Sequence, residues 1–191
     1  VGANATGLPF NSVMAIELNA DRTMNPMVNA GAIATTSLAP GATADAKWHF
    51  VREGLSRFAG RELAMDEEIY QSEAATNQRN RRIARLLEGY ERMYFDSLQA
   101  TDVYTKQCSL LVSATDLAVM GATLADGGVN PLTRERVVSA EVAKRLLAVM
   151  ATAGLYERSG DCLFEVGLRG QSGGGGGTVP ASAGRGGLRG F

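Results

Sequence analysis

The chain has 191 residues, of which 45% are hydrophobic and 20% are charged, and its formal net charge is −1. This composition predicts a soluble protein with one sizeable core. A charge so close to zero provides no broad attraction for nucleic acid or anionic lipid, and no apolar run reaches membrane-spanning length. We therefore expect neither a nucleic-acid partner nor a membrane partner.

Residue types that carry metal, redox or nucleophile chemistry are sparse. The two cysteines, Cys108 and Cys162, are far apart in sequence, which favours a reduced intracellular protein. His49 is the single histidine, so a multi-histidine metal site and a histidine-dependent nucleophile are both excluded. The opening Val1-Gly2 is not a translation start, and we expect the chain to be part of a longer protein.

A loop and a short helix that begins after Ser12 precede the unusual stretch 25–33, N-P-M-V-N-A-G-A-I. Pro26 fixes its own φ and disfavours the α region for the residue before it. The small residues around Asn29 predict that something comes close to this backbone. Two interpretations of Asn29 remain open: it caps the helix that runs toward Leu38, or its side chain faces a small polar ligand.

The next segment, residues 48–58, has helical periodicity and ends at Gly60. A polar run, residues 65–80, follows it. Within this run Glu73 and Asn80 are seven positions apart, which places them on the same face if the run is one helix. A turn between them is an equal alternative, and a run of this kind is most often a solvated face.

Three more helices are predicted from apolar periodicity, and two of them have clear caps. Ser113 and Asp116 have the spacing of a capping box, and Ser139 is the N-cap of the last helix. Residues 102–109, which include Tyr104, are predicted to be a polar connection. The predicted helices are residues 83–94, 117–124 and 142–150.

The C-terminal part of the sequence changes character. Tyr156 lies just beyond Gly154, which is predicted to end the last helix. Residues 162–168 alternate apolar and polar side chains as a strand does. Residues 169–191 are rich in glycine and read as a flexible tail, and the G-K-[ST] ending of a phosphate-binding loop is missing. The chain is therefore predicted to be mainly helical with strands at its end.

Polar residues recur at the ends of these elements. They lie in four sequence motifs, which read N-P-M-V-N-A-G-A-I, S-E-x-x-x-N-x-R-N, Q-C-S-L-L-V-S-A-T-D-L-A-V-M-G-A-T-L-A-D-G-G-V-N-P and V-M-A-T-A-G-L-Y-E-R-S-G. In this order they resemble the serine-dependent glutaminase family. The resemblance covers nearly the whole chain and weakens in the first few residues and after Leu168. The residues concerned are Asn29, Glu73, Asn80, Tyr104, Tyr156 and the step Gln171-Ser172-Gly173.

The resemblance implies an α+β fold like that of serine β-lactamases and transpeptidases, with a helical region and the first C-terminal strands of an antiparallel sheet. It implies a glutaminase domain in residues 1–168, incomplete at its N-terminus, and a divergent or truncated end of that domain in residues 169–191. The implied reaction is hydrolysis of L-glutamine to L-glutamate and ammonia through a serine acyl-enzyme. It also implies no metal, no organic cofactor, a cytoplasmic location and a homo-oligomer, either a dimer or a tetramer.

Site residues follow from the same resemblance. Glu73 is implied to bind the α-ammonium group of the substrate, while Asn29, Asn80 and Tyr104 are implied to lie around the substrate, where amide and phenol donors can hold the α-carboxylate. Tyr156 is implied to contact the substrate and to relay a proton to the departing ammonia, and Tyr104 is the second catalytic candidate.

The oxyanion hole and the nucleophile complete the implied machinery. The backbone N–H of Gly174 is implied to donate to the oxyanion, at a position where the family commonly has Val. The family's Ser-x-x-Lys element, which supplies nucleophile and base, does not occur in this sequence and is expected upstream of it.

Some features depart from the family pattern. Gln171 replaces a lysine, and residues after 173 lack the expected apolar strand. The alternative interpretation is a catalytically inactive fragment or degenerate paralogue that binds glutamine or glutamate. A β-lactamase relative is disfavoured because its Ser-Asp-Asn element is absent.

Overall fold

The structure is a computed structural model that describes residues 2–22, 24–167, 169–172, 178–182 and 186–187. In these ranges the chain is mostly helical and has three short strands, so the α+β class is confirmed at this level. The helices are α1 (Met14–Leu18), α2 (Asn29–Ser37), α3 (Ala44–Ala59), α4 (Glu67–Thr76), α5 (Gln78–Gly89), α6 (Ser97–Cys108), α7 (Ala114–Ala125), α8 (Ala140–Ala153) and α9 (Ser159–Val166), with a 3-10 helix at Tyr156–Arg158. The strands are β1 (Arg169–Ser172), β2 (Thr178–Ser182) and β3 (Gly186–Gly187).

The chain divides into two compact units. The first unit consists of Val1–Arg52 and Ala64–Leu111, and the second consists of Glu53–Leu63 and Val112–Phe191. Helices α1, α2, α4, α5 and α6 belong to the first unit, and α7, α8, α9 and the strands belong to the second. Helix α3 contributes residues to both.

The core of the first unit forms where α2, α5 and α6 contact one another. Its fully buried side chains include Ile33, Ile83 and Val103. A Cβ added at Gly31 would overlap the carbonyl group of Asn25, which shows how closely the start of α2 approaches the preceding turn. The close approach that we predicted for the backbone of residues 25–33 therefore occurs within the stretch itself.

Several predicted helix ends are also confirmed in the second unit. The Ser113 hydroxyl accepts a hydrogen bond from the Asp116 amide at 3.2 Å, and the Ser113 amide donates to the Asp116 carboxylate at 2.7 Å. These two bonds are the capping box that begins α7. At the start of α8 the Ser139 hydroxyl accepts from the Val142 amide, as an N-cap does. Gly60 follows α3 with φ +73°, a conformation that favours glycine.

The polar connection predicted for residues 102–109 is wrong, because these residues lie almost entirely in α6. The buried face of α6 contains hydroxyl residues, which look like solvated positions in the sequence. Thr101, Thr105 and Ser109 are all buried, and each hydroxyl donates to the backbone carbonyl four residues earlier. Such bonds satisfy a polar side chain inside a helical core.

The strand predicted for residues 162–168 is wrong as well, since α9 extends through Val166. The apolar alternation does not mark a buried face here, because Phe164 is 91% exposed. Gly167 ends the helix with φ +74°. A short apolar run does not distinguish a helix from a strand by periodicity alone.

The interpretation of residues 169–191 as a tail without structure is also corrected. Three antiparallel strands form there in the order β1-β2-β3, with Gly170 opposite Pro180 and Ala181 opposite Gly187. Helix α7 contacts β2 and β3, and Ala181 is fully buried. Backbone hydrogen bonding therefore orders part of a segment that has few large apolar side chains.

Asp116 offers a test of the second unit's stability. Hydrogen bonds from the Arg61 guanidinium, at 2.6 Å and 2.8 Å, hold the pKa of this carboxyl well below its usual range, and bonds from Ser113 lower it further. Replacing Asp116 with asparagine is expected to lower the free energy of unfolding by about 2 kcal/mol at neutral pH.

The pH dependence has a definite sign. Because folding lowers the pKa of Asp116, its contribution is complete above the unfolded value of about 4 and is lost as the pH falls toward the folded value. Thermal unfolding followed by circular dichroism from about pH 6 to about pH 2 should therefore show a smaller loss of Tm in Asp116→Asn than in the wild type. Equal losses would show that the ion pair with Arg61 contributes nothing.

Candidate functional site

Asn29 and Asn80 meet although 51 positions separate them in the sequence. The Nδ2 of Asn29 donates to the Oδ1 of Asn80 at 2.8 Å, and both side chains are half-buried. Asn29 is the first residue of α2 and Val28 is the N-cap, so the capping interpretation of Asn29 is wrong. The NH2 group of Asn80 is not used by this bond and can donate to an anionic group.

Helices α4 and α6 are joined by polar contacts on either side of Glu73. The Tyr70 hydroxyl donates to Asp102 at 2.7 Å, and the Nδ2 of Asn77 donates to the Thr105 hydroxyl at 2.9 Å. Because Tyr70, Glu73 and Asn77 are three and four residues apart, they share one face of the helical run. Glu73 is thereby held facing α6 while its side chain remains exposed.

The run between Glu73 and Asn80 is not one continuous helix. Helix α4 ends at Thr76 and α5 begins at Gln78, so the break falls at Asn77. The single-helix interpretation is therefore wrong, and the alternative of a break is confirmed. Asn80 consequently lies in the first turn of α5.

Cys108 is a free cysteine of α6, and both Glu73 and Tyr104 act on its thiol. Tyr104 and Cys108 are one helical turn apart in α6, and their side chains are hydrogen-bonded. Burial of the sulfur raises the pKa of the Cys108 thiol, the tyrosine hydroxyl bond opposes this, and the negative charge of Glu73 raises the pKa further. The carboxylate of Glu73 is therefore close enough to Cys108 for its negative charge to act on the thiol.

A second tyrosine supports the contact between α4 and α6. The hydrogen bond to Asp102, together with burial, raises the pKa of Tyr70 to about 12. Lys106 forms an ion pair with the same carboxylate at 3.1 Å and lies 5.8 Å from the Tyr70 ring centroid. Tyr70 therefore stays neutral at any ordinary pH and acts as a fixed hydrogen-bond donor.

Tyr156 lies in the second unit, where it begins the 3-10 helix Tyr156–Arg158. It is half-buried, and its φ is +54°, in the left-handed region that disfavours residues with a side chain. Strain of this kind persists where the surroundings enforce it, and it is concentrated at functional sites. Tyr156 is therefore a constrained position, as are Arg22, Glu91 and Arg134, which share a left-handed φ.

The predicted site residues lie in the first unit, in the second unit or outside the described residues. Asn29, Glu73, Asn80 and Tyr104 all belong to the first unit, where Asn29 is bonded to Asn80, and Glu73 and Tyr104 each act on Cys108. Tyr156 belongs to the second unit, and Gly174 lies outside the described residues. Gln171 lies in β1 opposite Val179.

Sequence reasoning missed two residues beside this machinery, Cys108 and Ser159. Cys108 follows Tyr104 by four positions, a spacing that would have indicated contact had the segment been recognised as helical. Ser159 follows Tyr156 by three positions but contacts its backbone, which no periodic pattern reveals.

Neither a metal cluster nor a membrane-spanning helix is found in the ranges that the structure describes. No group of three or more His, Cys, Asp or Glu side chains there is placed to hold a metal ion. No helix in the same ranges has both the length and the apolar character needed to cross a bilayer.

These features define a mainly helical α+β protein whose first unit contains amide, carboxylate and phenol groups that can hydrogen-bond to a polar ligand. The sequence profile of one family, Glutaminase, matches residues 1–191. Glutaminase 2 of Yersinia pestis is 64% identical over 98% of this chain and 55% of its own length. A glutaminase of Brucella canis is 55% identical over 94% of this chain and 56% of its own length.

Solved structures agree with these sequence relatives. The structure of the probable glutaminase ybaS superimposes with a TM-score of 0.93 at 48% identity, over 96% of this chain and 60% of that chain. A Bacillus glutaminase gives a TM-score of 0.89 at 34% identity, over 93% of this chain and 60% of that chain. The chain belongs to the glutaminase family, and it spans little more than half the length of the curated relatives named above.

Proposed function

We propose that the whole protein hydrolyses L-glutamine to L-glutamate and ammonia through a serine acyl-enzyme, and that its nucleophile and base lie outside this chain. The observation that carries the proposal is the membership of all 191 residues in the glutaminase family. The grouping of polar residues in the first unit supports it, because a free amino acid presents one cationic and one anionic group.

Glu73 is the partner that we assign to the α-ammonium group. Among the described residues no cation pairs with its carboxylate, so the negative charge is available to a ligand. Asn80, oriented by Asn29, and Tyr104 supply neutral donors for the α-carboxylate. Neutral donors bind that carboxylate without competing with the substrate ammonium for Glu73.

Tyr156 acts in the covalent steps, as a proton donor to the leaving group. The serine oxygen attacks the side-chain amide carbon, and the carbonyl oxygen becomes an oxyanion that the backbone N–H of Gly174 stabilises. The base takes the serine proton during this attack, the C–N bond then breaks, and the Tyr156 hydroxyl relays that proton from the base to the departing ammonia. Water attacks the acyl-enzyme in the second half of the reaction, which releases glutamate and restores the serine.

Other properties of the whole protein belong to the same proposal. We assign it a β-lactamase-like and transpeptidase-like fold, in which residues 1–168 form most of a glutaminase domain and residues 169–191 its divergent or truncated end. It acts without a metal or an organic cofactor, in the cytoplasm, as a homo-oligomer that is a dimer or a tetramer. Soluble L-glutamine is its substrate partner.

The direct test is product formation by the full-length protein. We expect glutamate and ammonia to appear in equal amounts from L-glutamine, and the 191-residue chain alone to release neither, because it contains no Ser-x-x-Lys element. Heat-treated protein is the control. A folded full-length protein that binds glutamate but releases no ammonia would instead support an inactive binding protein.

A further inference from the structure

Tyr156 adopts a backbone conformation that its own chemistry disfavours, so something nearby must hold it there. The candidate is Ser159, which is only 4% exposed and follows Tyr156 by three residues. Its hydroxyl accepts a hydrogen bond from the Leu155 amide at 2.9 Å and donates to the Tyr156 carbonyl at 2.8 Å. One side chain thus bonds to the backbone on both sides of the strained φ.

Packing against strand β1 restricts residues 154 and 155, which directly precede Tyr156. A Cβ added at Gly154 would overlap the carbonyl oxygen of Gly170 in β1, so the end of α8 lies directly against this strand. The Leu155 side chain covers Gly170, because a Cβ built there would meet its methyl and methine carbons at 3.3 to 3.5 Å. Residues 154 and 155 are therefore fixed against the strand, and the hydroxyl bridge determines how the chain continues.

We propose that Ser159 is a positioning residue for the glutaminase reaction, which holds Tyr156 in the left-handed conformation by bridging the Leu155 amide and the Tyr156 carbonyl. This inference rests on the proposed function, because Tyr156 acts as a proton relay only there. Removal of the hydroxyl leaves the half-buried Leu155 amide without this acceptor and takes one of two donors from the Tyr156 carbonyl, which still accepts from the Ser159 amide, and this favours rearrangement of the turn. The tyrosine hydroxyl then moves away from the departing nitrogen.

The test uses the full-length protein and its steady-state kinetics. Ser159→Ala is expected to lower kcat roughly 10- to 100-fold with little change in KM, since a small misplacement of a catalytic group costs this much. Ser159→Thr keeps the hydroxyl and should recover most of the loss. Ser139→Ala is the matched control, because it removes a serine cap of the same unit at the other end of α8. A kcat for Ser159→Ala equal to that of Ser139→Ala would overturn the proposal.

A double-mutant cycle separates positioning from general destabilisation. If Ser159 acts through the Tyr156 hydroxyl, Ser159→Ala should cost little further kcat in a Tyr156→Phe background. A loss of the same size in both backgrounds would overturn the proposal. If the alanine variant does not fold, Ser159→Cys, which is slightly larger and has a weaker donor and acceptor, takes its place in the cycle.

The rate of amide hydrogen exchange at the Leu155 N–H tests the Ser159 hydrogen bonds independently of catalysis. Ser159→Ala should accelerate this exchange at least about 10-fold, whereas Ser139→Ala should leave it unchanged. Unchanged exchange in Ser159→Ala would overturn the bridge even if the enzyme is active. If the wild-type protein releases no ammonia and its Leu155 N–H exchanges fast, both the bridge and the proposed function are overturned. If it releases no ammonia but its Leu155 N–H exchanges slowly, only the proposed function is refuted.

Discussion

Replacing Tyr156 with phenylalanine in the full-length protein is expected to lower kcat about 10²- to 10⁴-fold while KM for glutamine stays nearly constant. The hydroxyl is required only while the amide nitrogen leaves, so its loss raises the transition state without weakening ground-state binding. Phenylalanine retains the ring and tolerates the same φ of +54° no worse than tyrosine does. Steady-state ammonia release gives both constants.

Tyr94→Phe is the matched control for this substitution. Tyr94 is 57% exposed and has no assigned role in binding or chemistry, so loss of its hydroxyl should leave both constants unchanged. An increase in KM for Tyr156→Phe at unchanged kcat would assign Tyr156 to substrate binding instead. Full activity in Tyr156→Phe would remove Tyr156 from the mechanism.

Replacing Glu73 with glutamine is expected to raise KM for glutamine by roughly 10- to 100-fold, which corresponds to the loss of a charge-assisted hydrogen bond. The α-ammonium group is present in both the ground state and the transition state, so kcat should change much less. The side-chain volume is nearly preserved, and Glu73 has no ion pair among the described residues that its loss would disturb.

Two controls make this prediction specific. Glu68→Gln changes an exposed carboxylate on the same helix and should leave KM unaltered. A glutamine analogue without the α-amino group should be a poor substrate for the wild type, and Glu73→Gln should not make it poorer. If the variant discriminates between glutamine and the analogue as strongly as the wild type does, Glu73 does not bind the ammonium group.

The sequence predicts best those elements whose ends are encoded locally. The capping box at Ser113 and Asp116, the cap at Ser139 and the glycine at position 60 each act within one helical turn, so their effect can be read without tertiary information. Helix α6 escaped prediction because Thr101 and Thr105 satisfy their hydroxyls within the helix and are buried. A pattern of apolar residues cannot reveal a core face built from hydroxyl side chains.

In the site too, the features that sequence does not predict depend on contacts between residues or elements brought together by tertiary packing. The resemblance to glutaminases selected Asn29 and Asn80, but nothing local to either residue predicts that one amide bonds to the other across 51 positions. The left-handed φ of Tyr156 was also unpredictable, since it depends on Ser159 and on the contact of Gly154 with β1. Both features arise from tertiary packing, which single-sequence patterns do not contain.

The central claim is that Asn29, Glu73, Asn80 and Tyr104 hold the α-amino and α-carboxylate groups of the substrate. A crystal structure of the full-length protein with bound L-glutamate tests it most directly. We predict the α-ammonium group at about 2.7 to 3.2 Å from a Glu73 carboxylate oxygen, and the α-carboxylate within the same range of the Asn80 amide and the Tyr104 hydroxyl. Glutamate bound with its α-ammonium group away from Glu73, or bound outside these four residues, would contradict the account.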